Sequence, residues 1–350
     1  MKIEDIVFLG AGASASEGAP LQDYLFREYF SSHTEVDYRI DNKMDSRLVR
    51  FFKRFFGIDI KHSNLTRVSF PTFEEILGML ELALNREESF RHYSLTPDNP
   101  QIQRIREDFI FLIAIILDKK LRGEVKYHSK LVNRLESEQK LSKTGFVSLN
   151  YDILIDNVLV DIHPDYDLDY GVKFTNFAKE GDWHMPRSEK AICLYKLHGS
   201  LNWLYCPTCL SLTLTPKEKK VATLVFGPQN CDVCDGEMIP IIIPPTFYKV
   251  MSNFYLHEIW HQAENALKQA KRIFFCGYSF PDADIHIKYL LKRVEINRGF
   301  TPEIFIINNH EGKSDYQRES EKLRYKRFFK DSQKVHYTNQ SFENFCEQGI

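Results

Sequence analysis

Residues 6–20 read IVFLGAGASASEGAP. The apolar start predicts a buried β-strand, and the small residues from Gly10 onward predict a tight turn that leads into a helix. Small residues let the backbone approach a pyrophosphate closely, and the start of a helix points its N–H groups and its positive dipole end at one. Ser14 and Ser16 add hydroxyl donors. The stretch therefore predicts a phosphate-binding loop, and a purely structural turn is the alternative.

Short apolar runs rich in β-branched and aromatic residues recur along the chain. They cover residues 145–149, 193–197, 239–243, 272–277 and 303–308, and one further strand is expected at 334–338 near the end of the chain. Their nearly continuous hydrophobicity indicates parallel strands covered on both faces. We therefore predict an α/β fold with a Rossmann-like parallel sheet and helices on both faces. Dehydrogenases usually place an acidic residue after the second strand, where it holds the ribose of the cofactor. The second run begins here more than a hundred residues after the first, which argues against a dehydrogenase.

The region between the first two strands has a different character. Residues 73–84 and 102–121 carry apolar side chains at helical spacing, and residues 21–140 contain almost no strand signal. We predict a helical insertion over 21–140 within a Rossmann-like domain made of 1–20 and 141–350. Four phenylalanines close together, Phe51, Phe52, Phe55 and Phe56, indicate a core stripe, with an interface as the alternative.

Polar side chains follow two of the predicted strands at their carboxyl ends, where parallel sheets bind ligands. Asn150 and Asp152 follow the run at 145–149, and alternation directs both to one side. Such a pair can hold ribose hydroxyls and a carboxamide, and a helix N-cap is the alternative. His198 follows the run at 193–197, and histidine is the usual general base near neutral pH. Taken alone, a histidine in this position is more often structural.

Four of the seven cysteines form two Cys-x-x-Cys pairs, Cys206/Cys209 and Cys231/Cys234, with 21 residues between the pairs. Four thiolates satisfy a tetrahedral Zn²⁺, and two such knuckles separated by a loop are typical of a zinc ribbon. The spacing therefore predicts a structural zinc site in a small lobe over residues 204–238. Two unrelated cysteine pairs are the alternative.

Composition narrows the class of protein. Hydrophobic residues make up 43% of the chain and charged residues 27%, with a formal net charge of −2. A balanced charge gives no global basic field, so we expect no direct nucleic-acid binding. The first residues lack the pattern of a signal peptide, and the longest apolar run, at 109–117, is too short to span a bilayer. We expect a cytoplasmic protein without membrane contact, in which paired cysteines favour a metal over disulfides.

Taken in order, the motifs resemble those of the sirtuin family over residues 6–310. G-A-G-A-S…G-x-P at 10–20 resembles the NAD-binding loop of the family, S-L-N-Y-D at 148–152 its T-x-N-x-D segment, and L-H-G-S at 197–200 its catalytic-histidine motif. The first cysteine pair follows as in zinc-containing members, while G-Y-S at 277–279 and I-N-N at 307–309 resemble later segments.

The resemblance implies NAD+ as the substrate and a role for each matching residue. The loop that holds the phosphates and adjacent ribose would consist of Gly10, Ala11, Gly12, Ala13, Ser14, Gly18 and Pro20. Asn150 would contact the nicotinamide ribose, Asp152 the carboxamide, and His198 would act as a base. The adenosine half would face Gly277, Ser279 and Asn308.

Two departures from the family pattern bear on the reaction. Deacylases of the family follow G-x-P with Asp-Phe-Arg, whereas Pro20 is followed here by Leu21-Gln22-Asp23. The long helical region and the string G-Y-S-x-P-D-x-D-I at 277–285 resemble the NAD-depleting, sirtuin-like effectors of bacterial antiphage defence. The resemblance therefore implies an NAD+ hydrolase that releases ADP-ribose and nicotinamide. An NAD-dependent protein-lysine deacylase and a non-catalytic NAD or ADP-ribose sensor are the alternatives.

An NAD+ hydrolase that acted without control would harm its own cell, so we expect regulation. We expect this control to come through homo-oligomer assembly or through a separate partner chain, and the resemblance implies an ATPase of the HerA type or another defence-system chain as that partner. The insertion at 21–140 is the expected place for such contacts.

Overall fold

A computed structural model describes residues 3–31, 42–121, 123–162, 167–176, 191–214, 229–242, 253–282 and 284–350. Its main sheet has seven parallel strands in the order β12-β11-β10-β1-β2-β5-β3. The strands are β1 (Asp5–Leu9), β2 (Thr144–Ser148), β3 (Asp167–Asp169), β5 (Ala191–Lys196), β10 (Arg272–Cys276), β11 (Glu303–Ile307) and β12 (Val335–Tyr337). The predicted Rossmann-like parallel sheet is confirmed, with strand ends shifted by one or two residues.

The register brings the carboxyl ends of the central strands together. Leu9 at the end of β1 pairs with both Ser148 and Cys276, and Ser148 in turn pairs with Lys196 at the end of β5. Every residue of β1 and β2 is buried, including the polar residues Asp5, Thr144 and Ser148 at the strand ends. The segments that leave these strands therefore emerge side by side at one edge of the sheet.

The apolar run at 239–243 does not join this sheet, and its prediction as a parallel strand was wrong. It forms β9 (Glu237–Ile242), which pairs antiparallel with β6 (Gly199–Tyr205) in a second sheet; residue 243 lies outside the described residues. In the first half of β9 side chains alternate, with Met238 buried and Ile239 47% exposed, so this half is covered on one face only, whereas Ile241 and Ile242 are both buried. The other strands of the order β4-β7-β6-β9-β8 are β4 (Thr175–Asn176), β7 (Leu212–Leu214) and β8 (Gln229–Asn230).

Helices cover the main sheet. They are α1 (Ala11–Ala15), α6 (Tyr127–Ser137), α7 (Leu154–Ile162), α8 (Phe254–Gln269), α9 (Ile285–Arg298), α10 (Asp315–Phe328) and α11 (Phe342–Gln348). Helix α6 packs against α7 and α11, whereas α8 packs against α9 and β5. Their buried apolar faces and the sheet form one continuous core.

A second hydrophobic core lies in the insertion. It is built by α2 (Gln22–Ser31), α3 (Asn42–Phe56), α4 (Phe73–Asn85) and α5 (Gln101–Lys120). Phe51 and Phe52 are almost completely buried and contact the ring of Phe109 edge-on at 5.3 and 5.8 Å. The phenylalanine stripe therefore packs in a core, which is the first of the two interpretations given above, the other being an interface. Leu201 and Ile242 of the second sheet also join this core.

Helix α6 falls within the predicted insertion but packs in the main core through Leu131, Val132 and Leu135. The division of the chain into domains at residues 20 and 140 remains a prediction. Among the described residues, the helices are all too short or too polar to cross a membrane.

Candidate functional site

A pocket lies at the carboxyl edge of the main sheet, between the two cores. It is lined by Gly10, Ala11, Ser14, Ala19, Pro20, Leu25, Phe73, Glu74, Ile113, Leu117, Leu149, Asn150, Tyr151, Asp152, His198, Gly277, Tyr278, Ser279, Pro281 and Asp284. The structure thus brings together nine of the predicted site residues in one cavity. Of the other predicted binding residues, Gly12, Ala13, Gly18 and Asn308 are not among those that line it.

Three glycines set the shape of the loop that follows β1. The backbone N–H groups of Gly10 and Gly12 donate to the carbonyls of Cys276 and Gly277, at 2.9 and 2.8 Å. Gly277 has a φ of +63°, and a Cβ there would lie 2.1 Å from the backbone nitrogen of Ala13. Only glycine allows the two backbones to meet this closely. The loop is therefore fixed against the end of β10.

Helix α1, which starts in this loop, is only five residues long. The N–H of Gly12 donates to Gly277, and that of Ala13 donates to the carbonyl of Gly10 at 3.0 Å. Two of the first amide groups of the helix are thus already bonded inside the protein. Phosphate binding by the loop remains a prediction.

Ser14 connects the loop to the strand-end pair. The side-chain amide of Asn150 donates to the Gly10 carbonyl at 2.9 Å and to Ser14 Oγ at 2.8 Å. The Ser14 hydroxyl then donates to Asp152 Oδ2 at 2.6 Å, and both Ser14 and Asp152 are buried. The Ser14 hydroxyl has one proton, which it donates to Asp152, so it can only accept from Asn150. The nitrogen of the Asn150 amide, and not its oxygen, therefore faces Ser14.

Asp152 also caps the start of a helix, which was the alternative role predicted from its position in the sequence. Its Oδ1 accepts from the backbone N–H of Leu154, the first residue of α7, at 3.1 Å. One carboxylate thus caps a helix start and lines the pocket, and the two interpretations are compatible.

His198 lies between β5 and β6 with only 2% of its surface exposed. Its Nδ1 is 3.1 Å from the carbonyl oxygen of Leu149. Because a carbonyl can only accept, Nδ1 carries the proton, and a neutral ring then has its lone pair on Nε2. Gly199 follows at a φ of +80°, and a Cβ there would lie 2.1 Å from the Ile241 carbonyl. Glycine after the histidine is thus required by the second sheet.

The insertion supplies one wall of the pocket, which sequence reasoning missed. Leu25 of α2, Ile113 and Leu117 of α5, and Phe73 and Glu74 at the start of α4 line it. The helical spacing of apolar residues over 73–84 predicts that Phe73 is buried. No sequence pattern marks its neighbour Glu74 as a residue of the site. Only the packing of the insertion on the sheet brings this carboxylate to the strand ends.

Acidic and phenolic groups dominate the polar lining. The Tyr278 hydroxyl donates to Asp284 Oδ2 at 2.9 Å. Burial raises the pKa of Tyr151 and of Tyr278 well above the usual value for tyrosine, and the nearby carboxylates of Asp284 and Glu74 raise it further. Both phenols stay neutral at physiological pH. Among the described lining residues there are three carboxylates and no lysine or arginine, so the pocket favours positive charge.

Two of the three residues predicted to face the adenosine half line the pocket, and the third does not. Gly277 and Ser279 line the pocket, whereas Asn308 lies beneath it with 4% exposure. The Asn308 amide donates to the Tyr278 carbonyl at 3.0 Å and to Glu321. Asn308 thus supports the turn that carries Tyr278 and Ser279. Gly18 is exposed at a φ of +100° and ends the turn after α1.

The four paired cysteines converge in the lobe formed by β6 to β9. Their sulfur atoms all lie within 4.8 Å of one another, with 3.5 Å between Cys206 and Cys234 and between Cys209 and Cys231. Sulfurs that bind one zinc at about 2.3 Å stand about 3.8 Å apart. The cluster therefore fits a tetrahedral zinc, and these residues would hold it without a position left for substrate.

Comparison with known proteins agrees with the geometry. Residues 144–329, just over half of the chain, match the family described as SIR2-like domain. This match covers Asn150, Asp152, His198 and the four paired cysteines of the lobe, but not the loop at 10–20. A search of curated proteins gives no match.

Solved sirtuin structures also resemble the chain. A Sir2 homologue mutant in complex with ADP-ribose is 12% identical, with 99% of this chain and 89% of that chain covered and a TM-score of 0.46. Sir2 bound to acetylated peptide is 12% identical, with coverage of 99% and 92% and a TM-score of 0.45. A structure described under sirtuin substrate affinity is 13% identical, with coverage of 100% and 93% and a TM-score of 0.43.

Proposed function

The chain belongs to the SIR2-like domain family, and from that premise we propose that it hydrolyses NAD+ to ADP-ribose and nicotinamide. Membership supports an NAD-dependent activity of the sirtuin type. The observation that carries the finer proposal is the pocket in which Asn150, Asp152 and His198 meet the loop after β1. Each of these three side chains has a fixed orientation in the pocket through its hydrogen bonds.

The electrostatics of the pocket suit this reaction. When the bond between nicotinamide and ribose breaks, its electron pair leaves with nicotinamide and positive charge develops on the ribose. Preorganised carboxylates stabilise such charge in a site shielded from water. Asp152, Glu74 and Asp284 supply three carboxylates around the cavity.

His198 is the proposed base. With Nδ1 bonded to the Leu149 carbonyl, Nε2 is the nitrogen that can accept a proton. Water forms the new bond to the ribose carbon, its proton passes to Nε2, and ADP-ribose and nicotinamide leave. The apolar wall formed by Leu25, Ile113 and Leu117 limits the entry of other water.

Incubation of the purified chain with NAD+, followed by chromatography of the products, tests the proposal. We expect ADP-ribose and nicotinamide without any peptide, and a loss of about 10²–10⁴-fold in His198→Ala. Asn150→Ala should lose activity similarly because it removes the group that orients Ser14. His62→Ala, which changes an exposed histidine of the insertion, is the matched control and should keep full activity.

The nature of the acceptor is decided in the same assay with an acetyl-lysine peptide. Turnover only with peptide, with O-acetyl-ADP-ribose as product, would identify a deacylase instead of a hydrolase. Tight NAD+ binding in calorimetry without any turnover would identify a sensor. Leu21-Gln22-Asp23 stands directly after Pro20 in place of the Asp-Phe-Arg of deacylases, which supports water as the acceptor. A part in antiphage defence, homo-oligomer formation and a HerA-type ATPase partner remain predictions, as does a cytoplasmic location.

Zinc is proposed as a structural component of the lobe. We expect one zinc per chain by metal analysis, bound by the thiolates of Cys206, Cys209, Cys231 and Cys234. Cys231→Ser should lower the zinc content and destabilise the lobe, because metal binding is coupled to folding. Cys193→Ser, outside the cluster, should leave the zinc content unchanged. Purified wild-type protein without zinc and with four reactive thiols would contradict this.

A further inference from the structure

Lys196, the last residue of β5, is completely buried two residues before His198. Its ammonium group donates to Asp156 Oδ2 at 3.0 Å and to the backbone carbonyl of Asp152. Burial of a charged pair costs as much as the pairing returns, and apolar side chains of the same volume are often equally stable. A gain in stability therefore does not by itself explain a charged pair at this place.

Further polar groups extend the pair across the site. Asp156 Oδ1 accepts from the Tyr170 hydroxyl at 2.6 Å, and Tyr170 is in turn hydrogen-bonded to Asn202. Asn202 Oδ1 then accepts from the Ser200 hydroxyl at 2.6 Å. All of these side chains are buried. A continuous polar chain thus runs from the Asp152 carbonyl on one side of the site to Ser200, just past His198, on the other.

We propose that Lys196 is a positioning residue that fixes the strand ends carrying Asn150 and His198 relative to each other. Its contact with the Asp152 carbonyl holds the segment after β2, and the chain through Asp156 and Tyr170 holds the start of β6. This role in catalysis rests on the proposed NAD+ cleavage, whereas the positioning itself does not.

The variant that tests the proposal is Lys196→Met with Asp156→Asn. It removes both charges together, so that no unpaired ion is left buried, and it removes the donor to the Asp152 carbonyl. The matched control is Arg272→Met with Asp5→Asn, which removes an ion pair at the amino ends of β10 and β1, opposite the pocket. Tyr170→Phe is a milder second variant, because it breaks the polar chain without any change of charge.

The first readout is independent of activity. In protein labelled with ¹⁵N-histidine, the Nδ1–H resonance of His198, assigned by its loss in His198→Gln, reports the bond to the Leu149 carbonyl. We expect this resonance to shift or disappear in the double variant, to shift in Tyr170→Phe and to stay unchanged in the control. If the double variant does not fold, Tyr170→Phe decides. A resonance unchanged in the folded test variants, or changed equally in the control, overturns the proposal.

The second readout is steady-state NAD+ cleavage. Misplacement of a base lowers kcat more than it weakens binding, so we expect kcat to fall by about tenfold to 100-fold while KM changes by less than about threefold. The control pair should keep both constants. A rise in KM with unchanged kcat also overturns the catalytic part. If wild-type protein leaves NAD+ intact, the proposed function fails, and the resonance of His198 still decides the positioning.

Discussion

At the scale of single residues, the site depends on backbone contacts that exclude side chains. Gly277 has a positive φ, and it also lies where a Cβ would overlap the backbone of Ala13. Gly299 has a similar φ of +78° with open space around it. A side chain at Gly299 would therefore meet only the strain of a positive φ, whereas one at Gly277 would also overlap its neighbours.

We expect Gly277→Ala to lower the free energy of unfolding by about 1–3 kcal/mol more than Gly299→Ala, because overpacking adds to the strain at positive φ. Urea unfolding of both variants measures the difference. NAD+ cleavage should also fall in Gly277→Ala alone, because the displaced loop carries Ser14. Equal losses of stability in the two variants would show that the loop adapts without cost.

Residues such as Asn150, Asp152 and His198 could be identified from the sequence because they directly follow apolar runs, and a parallel sheet places such positions at one edge. Glu74 could not be identified in this way. Glu74 lies in a helix of the insertion, and its place in the pocket depends on how two cores pack, which no local pattern records.

At the scale of secondary-structure elements, helix α6 begins on a carboxylate supplied by the loop after β1. Glu17 accepts from the backbone N–H groups of Lys126, Tyr127 and His128 at 2.7–2.9 Å, and from His128 Nδ1 at 2.9 Å. Burial alone would raise the pKa of Glu17, but these hydrogen bonds outweigh it and lower the pKa below the usual value. The charged form is thus favoured in the folded protein.

A lowered folded pKa gives a definite dependence of stability on pH. The contribution of Glu17 is fully present above its unfolded pKa of about 4.3 and is lost as pH falls through its folded value. We therefore expect the stability difference between wild type and Glu17→Gln to be largest near neutral pH and to shrink below about pH 4. Denaturant unfolding from pH 7 to pH 3 measures it. A difference that stays constant from pH 7 to pH 3 would contradict this role of Glu17.

The elements themselves were predicted unevenly. Buried apolar runs identified five of the seven strands of the main sheet, because burial on both faces leaves a nearly continuous apolar signature. The edge strand β12 was predicted separately at 334–338. In the second sheet, β4 and β8 were missed because they have two residues each. Strands of that length carry no periodicity and form only where neighbouring strands already exist.

At the scale of the whole molecule, the pocket is assembled from both hydrophobic cores. Leu25, Phe73, Ile113 and Leu117 come from the insertion, whereas the strand ends come from the main sheet. A ligand in the pocket therefore stabilises the contact between the two cores as well as each core itself.

We expect ADP-ribose to slow amide hydrogen exchange in α4 and α5 as well as at the ends of β1, β2 and β10. At 100 times its Kd a ligand stabilises the folded state by about 2.7 kcal/mol, which is enough to measure. Mass spectrometry with and without the nucleotide resolves the segments. Protection confined to the main sheet would contradict a site that includes the insertion.

Strand β1 has a consequence for any attempt to isolate the family domain. It lies between β10 and β2, yet it comes from residues outside the 144–329 match. Even a fragment extended to residues 144–350, which keeps β12, would leave a three-stranded half-sheet on each side of the missing strand, each with a bare inner edge open to pairing with other chains. Supplied as a separate peptide, β1 with its loop would pair with both bare edges and complete the sheet, whereas the pocket would still lack the wall that comes from the insertion.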